Sequence, residues 1–486
     1  MSAYDELMAF QRQTEALAQV AGRLGWDQET MMPAGAAGQR AEEFAAMESV
    51  LHARRTDPRI GEWLAKIDAG ALEAVPAANL RHIRRSFERN QRVPARLAEA
   101  IARLSSSAQR IWSEARATED VAAFLPALED MIALKREEAA ALALGGTAYD
   151  ALLDDYEPDT SGDDVAATFA AMRPRLVALR DKVMGADQPP ALNHRFDDQK
   201  QMRLARALAK TFGYNMQKGR LDKAVHPFSS GSGEDVRITT RTALTDPFNC
   251  IYSTIHETGH ATYEQNIAPE HLLTPLGEGV SLGVHESQSR IYENQLGRSR
   301  AFTGWLFGQM KEAFGDFGVA NEDVFFRTVN RLNKGYIRTE SDEVQYNLHI
   351  MLRFDLERDV IEGRLEARDL EEAWNARFEA DFGYAVDKPS NGLLQDVHWS
   401  CGLWGYFPTY ALGNVYAGCL YEALRLARPD LETELASGDL TGATGWLRDA
   451  VQVHGGLYPP RELIMRASGQ TPNEAPLLAY LEEKFS

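Results

Sequence analysis

The sequence predicts a mainly α-helical protein with a small β-sheet edge beside one histidine-bearing helix. Three observations carry that prediction. Long segments rich in Ala, Leu, Glu and Arg repeat their apolar residues at three- and four-residue spacing, the period of a helix with one buried face. An alternating, β-branched stretch follows near the middle of the chain, Asp235-Val236-Arg237-Ile238-Thr239-Thr240-Arg241-Thr242, and reads as a strand. Helical texture then returns in Ile251 to Gln265, the segment that holds most of the chemistry.

The first half supplies the clearest helices: AEEFAAMESVLHARR (41–55), RLAEAIARLSSSAQRIW (96–112) and VAAFLPALEDMIALKREEAAALAL (121–144). Breaks are expected at Met32-Pro33, at Gly145-Gly146, at PDTSGDD (158–164) and at ADQPPALN (186–193), where Gly, Pro and small polar residues cluster. HPFSSGSGED (226–235) reads as a Gly/Ser-rich loop leading into the strand. A strand placed just before the histidine-bearing helix would matter if its edge were free, because such an edge binds extended peptides through main-chain hydrogen bonds. The Gly- and aromatic-rich segment GLLQDVHWSCGLWGYFPTYALG (392–413) reads as close packing or turns near a site. We expect residues 1–486 to form a single domain of two helical lobes around one cleft, with the core of its site at about 226–413.

Composition narrows the partners. Acidic residues outnumber basic ones 71 to 52, for a net charge of -19, which disfavours nucleic acid and anionic lipid. No run of about 18 apolar residues spans a membrane. The N-terminus has no apolar run of signal-peptide length, so a cytoplasmic location is expected. Three scattered cysteines, Cys250, Cys401 and Cys419, form no CxxC pair and read as reduced, buried thiols.

The chemistry centres on His256-Glu257-Thr258-Gly259-His260. Two histidines four apart on a helix present both imidazoles on one face, within reach of one ion. Glu257, between them, projects beside that ion, where a general base must stand to take a proton from an attacking water. A catalytic site of this kind needs a third protein ligand. The long metzincin pattern is excluded because Tyr263 and Asn266 stand where its glycine and third histidine belong. Four glutamates remain. Glu264 continues the histidine face one turn on, with an outer support or ion-pair role as its alternative. Glu278 lies in a turn-like stretch where it could serve the following helix start. Glu286 and Glu293 share the helical segment SLGVHESQSRIYENQ.

Five ordered motifs then make the chain resemble the carboxypeptidase Taq family of metallocarboxypeptidases. Asp235 to Thr239 is similar to the family's DxRxT, and His256 to His260 is its HExxH. His285-Glu286-Ser287-Gln288 matches HESQ, and Ile337 to Asp342 resembles IRxxAD with Ser341 in place of Ala. Gly392 to Trp399 matches GxxQDxHW, while Trp26 to Thr30 with Met32-Pro33 resembles the family's N-terminal region. The resemblance implies a large helical fold with a deep substrate cleft, similar to neurolysin and angiotensin-converting enzyme. It implies one divalent ion per chain, zinc or cobalt, and usually a homodimer. It also implies removal of single residues from peptides with a free C-terminus.

Read through the resemblance, His256, His260 and Glu286 hold the metal. Arg338 and Arg237 become candidates for the substrate carboxylate, which an arginine fork binds bidentately; pairing to Asp235 competes for Arg237. By analogy with related helical zinc peptidases, His398 and Tyr406 are expected as oxyanion donors, with Tyr410 in reserve beside the substrate. His285 is expected to support the site rather than ligate. His226 reads as cleft-lining or as an ordinary loop residue, and His52, His82, His194, His271, His349 and His454 carry no motif. Two rival readings stand: an oligo-endopeptidase of the same fold, and an inactive helical binding protein, against which the intact Glu257 argues.

Overall fold

A computed structural model describes residues 2–189 and 191–485 and is dominated by α-helices. The expected segments form helices Ala37–Arg55, Ala95–Thr118 and Val121–Leu142. The first helix, Ala3–Thr30, starts on a capping box between Ser2 and Asp5 and stops three residues before Pro33. The chain turns at Gly145, whose φ of +94° suits glycine. Within PDTSGDD, Ser161 accepts a hydrogen bond from the Asp164 amide, so helix Gly162–Met184 begins inside the expected break. Of the break at 186–193, Pro190 lies outside the described residues. Among the described residues, no helix is long and apolar enough to cross a membrane. Cys250, Cys401 and Cys419 are free thiols, and burial pushes Cys250 up to about 11.

The chain divides into two compact units, residues 1–90, 189–330 and 419–472 forming the first, and 91–188, 331–418 and 473–486 the second. The first holds a three-stranded sheet of β1 (Leu221–Lys223), β2 (Ser229–Ser230) and β3 (Arg237–Thr240), in the order β1-β3-β2. β3 pairs in parallel with β1, placing Leu221 beside Ile238, and antiparallel with β2, placing Ser229 beside Ile238. This corrects one expectation. The 235–242 strand offers no free edge, because both its sides are taken. The Gly/Ser-rich segment before it is the turn of a hairpin: Gly231 has φ +92°, and a Cβ there would lie 2.0 Å from the Asp235 carbonyl oxygen. Leu221, Val236, Ile238, Cys250 and Ala261 share one apolar cluster with Met202, Ala205 and Ala209 of helix Asp198–Thr211. That burial fixes the sheet against the histidine helix, Pro247–Asn266. Thr240 adds hydrogen bonds to the Cys250 carbonyl and to Ser253.

The second unit is organised around helix Glu343–Ile361, which packs on helices Val121–Leu142, Ala148–Leu153, Gly162–Met184 and Leu370–Phe382. It is buried along most of its surface, and its buried residues include Asn347, His349, Arg353 and Glu357 as well as aliphatics. A buried charge must be paired or hydrogen-bonded, so these side chains define where neighbouring segments are held.

Candidate metal centre and active site

Helix Pro247–Asn266 starts with Pro247 in its first turn and Asp246 accepting from the Phe248 amide. One turn apart on it, the His256 and His260 rings have centroids 4.9 Å apart. Gly259 explains how a second helix reaches them. A Cβ at that position would lie 2.4 Å from the Gln288 carbonyl oxygen and 2.6 Å from Ser289 Cα. Backbone therefore packs directly on backbone, and helix Leu282–Arg290 brings Glu286 against the histidine pair. Ser281 caps that helix by accepting from the Val284 amide, so Glu278 is not its cap.

Glu286 Oε2 lies 3.9 Å from His256 Nε2 and 3.5 Å from His260 Nε2. The three ligand atoms all fall within 4.8 Å of one another, the one such histidine–carboxylate group among the described residues. Ligands about 2.0–2.2 Å from a tetrahedral ion stand about 3.3–3.5 Å apart, so the spacing fits a single small cation.

The surroundings settle which nitrogen of each ring faces inward. His256 Nδ1 is 2.9 Å from Glu293 Oε2, and a carboxylate only accepts, so Nδ1 carries a proton and Nε2 is the nitrogen left to face an ion. Glu293 belongs to the π-helical turn Ile291–Leu296 and is held by Arg290 and Arg298. His260 Nδ1 lies 2.7 Å from His285 Nδ1, and His285 Nε2 lies 2.9 Å from Glu264 Oε1. Glu264 must accept, so His285 donates from Nε2 and accepts at Nδ1. His260 then donates from Nδ1 and also turns a lone pair inward. Arg290 Nε binds the other oxygen of Glu286 at 2.7 Å. Two imidazole lone pairs and a carboxylate oxygen thus face one point. They repel one another unless a cation stands there, and the donor set therefore fits a divalent metal.

Charge follows this geometry. Burial pushes His260 down to about 3, keeping it neutral. Burial would raise Glu286, but the Arg290 guanidinium leads the opposing effects, and the carboxyl is held well below its usual range. Glu257 is 7% exposed and makes no hydrogen bond to the described residues. Burial pushes it up to about 7, with Glu286 and Glu293 adding to the effect and His256 opposing it. A carboxyl poised there suits proton transfer near neutrality.

The remaining expected residues fall into two places. Arg237, in the first unit, makes a bidentate pair with Asp235 at 2.8 and 2.9 Å and stacks 4.5 Å over the Trp26 ring. In the second unit, Arg338, His398, Tyr406 and Tyr410 come together around Asp396. Arg338, 5% exposed, donates to Asp396 Oδ1 from Nε and one terminal nitrogen, and to the Tyr346 hydroxyl from the other. One N–H on each terminal nitrogen keeps no partner among the described residues. The guanidinium also lies 5.0 Å over the Tyr410 ring. His398 stands 4.7 Å from the Phe407 ring and 5.5 Å from Tyr406. Burial pushes His398 down to about 4, and its buried Nδ1 has no hydrogen-bond partner, 3.7 Å from Asp396. Tyr410 donates a long 3.4 Å hydrogen bond to the Tyr406 hydroxyl. Tyr410 lies in helix Pro408–Ala427 and Tyr406 just before it.

Sequence reasoning missed Arg353, which is fully buried and donates to Asp396 Oδ2 at 2.7 Å, and Glu357 one turn further along the same helix. The available signal was their spacing, an Arg and a Glu four apart in a helix with no apolar stripe. His226 is exposed in a bend and bears no contact to the metal centre.

The family model for carboxypeptidase Taq (M32) metallopeptidases matches residues 6–485. Thermostable carboxypeptidase 1 of Thermus thermophilus is 41% identical, covering 100% of this chain and 98% of the relative. Carboxypeptidase 1 of Bacillus subtilis is 32% identical, covering 99% and 97%. Among solved structures, the M32 carboxypeptidase of Deinococcus radiodurans superposes with a TM-score of 0.96 at 37% identity, covering 99% of this chain and 98% of that one. A Pyrococcus furiosus carboxypeptidase superposes with a TM-score of 0.97 at 32% identity, covering 100% and 99%. On the match to its family model and on these full-length relatives, the chain belongs to the carboxypeptidase Taq (M32) family of metallopeptidases.

Proposed function

We propose that this metallocarboxypeptidase removes single amino acids from the free C-termini of peptides, with His256, His260 and Glu286 as ligands of one divalent ion. The observation that carries the reading is the convergence of two inward lone pairs and one carboxylate beside an unshared Glu257. A divalent ion in that set supplies Lewis-acid activation of the attacking water and the scissile carbonyl. Zinc is the first choice for two imidazoles and a carboxylate, and cobalt the second.

The chain's own residues do the rest. Glu257 takes the proton of the attacking water and passes it to the leaving amine. His398 and Tyr406 donate hydrogen bonds to the developing oxyanion. Arg338 binds the substrate's terminal carboxylate through the two N–H groups that Asp396 and Tyr346 leave, with Tyr410 alongside. Arg237 is the reserve cation, since Asp235 already fills its fork. The family resemblance supports a homodimer, and the acidic composition supports a cytoplasmic enzyme without nucleic-acid or membrane partners.

The pairing of Arg338 to Asp396 favours one rival, an oligo-endopeptidase of the same fold, because that cation is already partly neutralised. Digestion of matched peptides with free-acid and amidated C-termini, followed by mass spectrometry, separates the two. The proposal expects stepwise loss of single residues from the free acid and almost none from the amide. Equal cleavage of both at internal bonds would establish the endopeptidase.

A further inference from the structure

Glu357 is fully buried in helix Glu343–Ile361, and nothing in the mechanism above uses it. Its two oxygens accept three hydrogen bonds. Oε1 takes the Trp399 indole N–H at 2.7 Å; Oε2 takes the Gly405 amide at 3.2 Å and the Tyr149 hydroxyl at 2.9 Å. Two of these donors flank the proposed oxyanion donors: Trp399 follows His398, and Gly405 precedes Tyr406. Between them the chain closes on itself, with the Trp399 and Trp404 rings stacked at 5.1 Å and 12°. Gly405 has φ +81°, and a Cβ there would lie 2.8 Å from the backbone of Leu152 and Leu153, so this turn seats directly on helix Ala148–Leu153. One turn earlier, Arg353 binds Asp396, two residues before His398. A single buried helix therefore grips the segment at 396, 399 and 405.

From this we infer that Glu357 is a positioning residue, whose carboxylate sets His398 and Tyr406 in register for oxyanion stabilisation. The inference rests on the roles proposed for His398 and Tyr406. Only a carboxylate can do the work. A glutamine in the same place would present one carbonyl oxygen and one NH2 group. With its oxygen toward Trp399, the NH2 meets the Gly405 N–H; with its oxygen toward Gly405, the NH2 meets the indole N–H. The Tyr149 hydroxyl can turn to accept, but the other two donors cannot. Either orientation strands one donor next to a residue proposed for catalysis. Burial pushes Glu357 up to about 7, against the pull of its three donors and Arg353, so assays belong at about pH 8, where it is ionised.

The test is steady-state kinetics of metal-loaded Glu357→Gln on a free-acid peptide, with metal stoichiometry and near-UV circular dichroism of the Trp399–Trp404 pair. Because the oxyanion forms only in the transition state, kcat should fall about tenfold or more, with KM within about twofold. Metal content should not change, and the tryptophan signal should. Trp399→Phe, which removes one anchor and leaves Glu357 intact, should repeat the kcat loss. It also serves if Glu357→Gln does not fold. Tyr149→Phe, which removes a donor outside the segment, should keep kcat. Wild-type kcat in Glu357→Gln or in Trp399→Phe overturns the inference if His398→Ala is severely impaired. Wild-type kcat in His398→Ala overturns the underlying reading instead. A rise in KM with unchanged kcat in Glu357→Gln also overturns it, since it would place Glu357 in ground-state binding.

Discussion

The metal centre and the Asp396 cluster are both buried and both charged, but their charges are balanced in different ways. Around the histidines stand four carboxylates, Glu257, Glu264, Glu286 and Glu293, against two guanidiniums, Arg290 and Arg298. Around Asp396, two guanidiniums, Arg338 and Arg353, share one carboxylate. The excess of carboxylates around the histidines suits a cation, and the open N–H groups of Arg338 suit a carboxylate. Buried charge is costly unless it is paired, so the crowding of carboxylates is one reason to place a cation among the histidines. The comparison also separates roles. On the proposed reading, the first region activates, and the second recognises and steadies.

The largest expected effect tests the activating half. Glu257→Gln should keep the metal, because that side chain is not among the converging ligand atoms, and lose roughly 10²–10⁴-fold in kcat. Metal analysis together with turnover checks both clauses, and near-normal turnover in a loaded variant would remove Glu257 as the base.

The recognising half is tested through Asp396. Burial would raise its carboxyl, but Arg338 and Arg353 hold it far below the usual range. Asp396→Asn leaves two buried guanidiniums without their counter-charge and should cost about 3–5 kcal/mol at neutral pH. A depressed folded pKa contributes stability above the unfolded value of about 3.9 and loses it as pH falls below that. The gap between wild type and Asp396→Asn in denaturant unfolding should therefore be full at pH 7 and shrink below about pH 4. A gap that is independent of pH would mean that the charge is not what Asp396 contributes.

A smaller effect sharpens the difference between ligand and support. Glu293→Gln keeps all three converging atoms but turns the carboxylate that holds His256 Nδ1 into an amide. Metal affinity should fall roughly 10–100-fold. Glu286→Ala should fall further, since it removes a ligand. Competition with a chelator ranks the two, and the reverse order would exchange their roles.

Legibility differed between the two regions for physical reasons. The histidine helix could be read because four-residue spacing on a helix is itself the coordination geometry. Glu286 needed the family motif, because spacing left four glutamates open. What selects it is Gly259, which lets a second backbone approach, and that is visible only once the helices are packed. β3 was legible as a strand but not as an interior one, since its partner β2 has only two residues, both serine. Arg353 and Glu357 were hidden because a helix buried over most of its surface has no clear amphipathic stripe, and its charged residues look in sequence like a solvent face. Arg237 was legible as a motif arginine with Asp235 as its competing partner; its engagement by Trp26 depends on the N-terminal helix, far away in sequence.

The most direct measurement is the ratio of kcat/KM for free-acid and C-amidated versions of one peptide, in wild type and in Arg338→Ala. Losing a charge-assisted pair of hydrogen bonds of roughly 1.5–3 kcal/mol should lower kcat/KM for the free acid by about one to two orders of magnitude. The already poor amide should change much less, and metal content not at all, while Arg338→Lys should restore only part of the loss because it keeps charge without the fork. The predicted result is a free-acid preference in wild type that largely disappears in Arg338→Ala. An equal loss on both peptides would contradict the account, making Arg338 a structural partner of Asp396 and moving carboxylate recognition to Arg237.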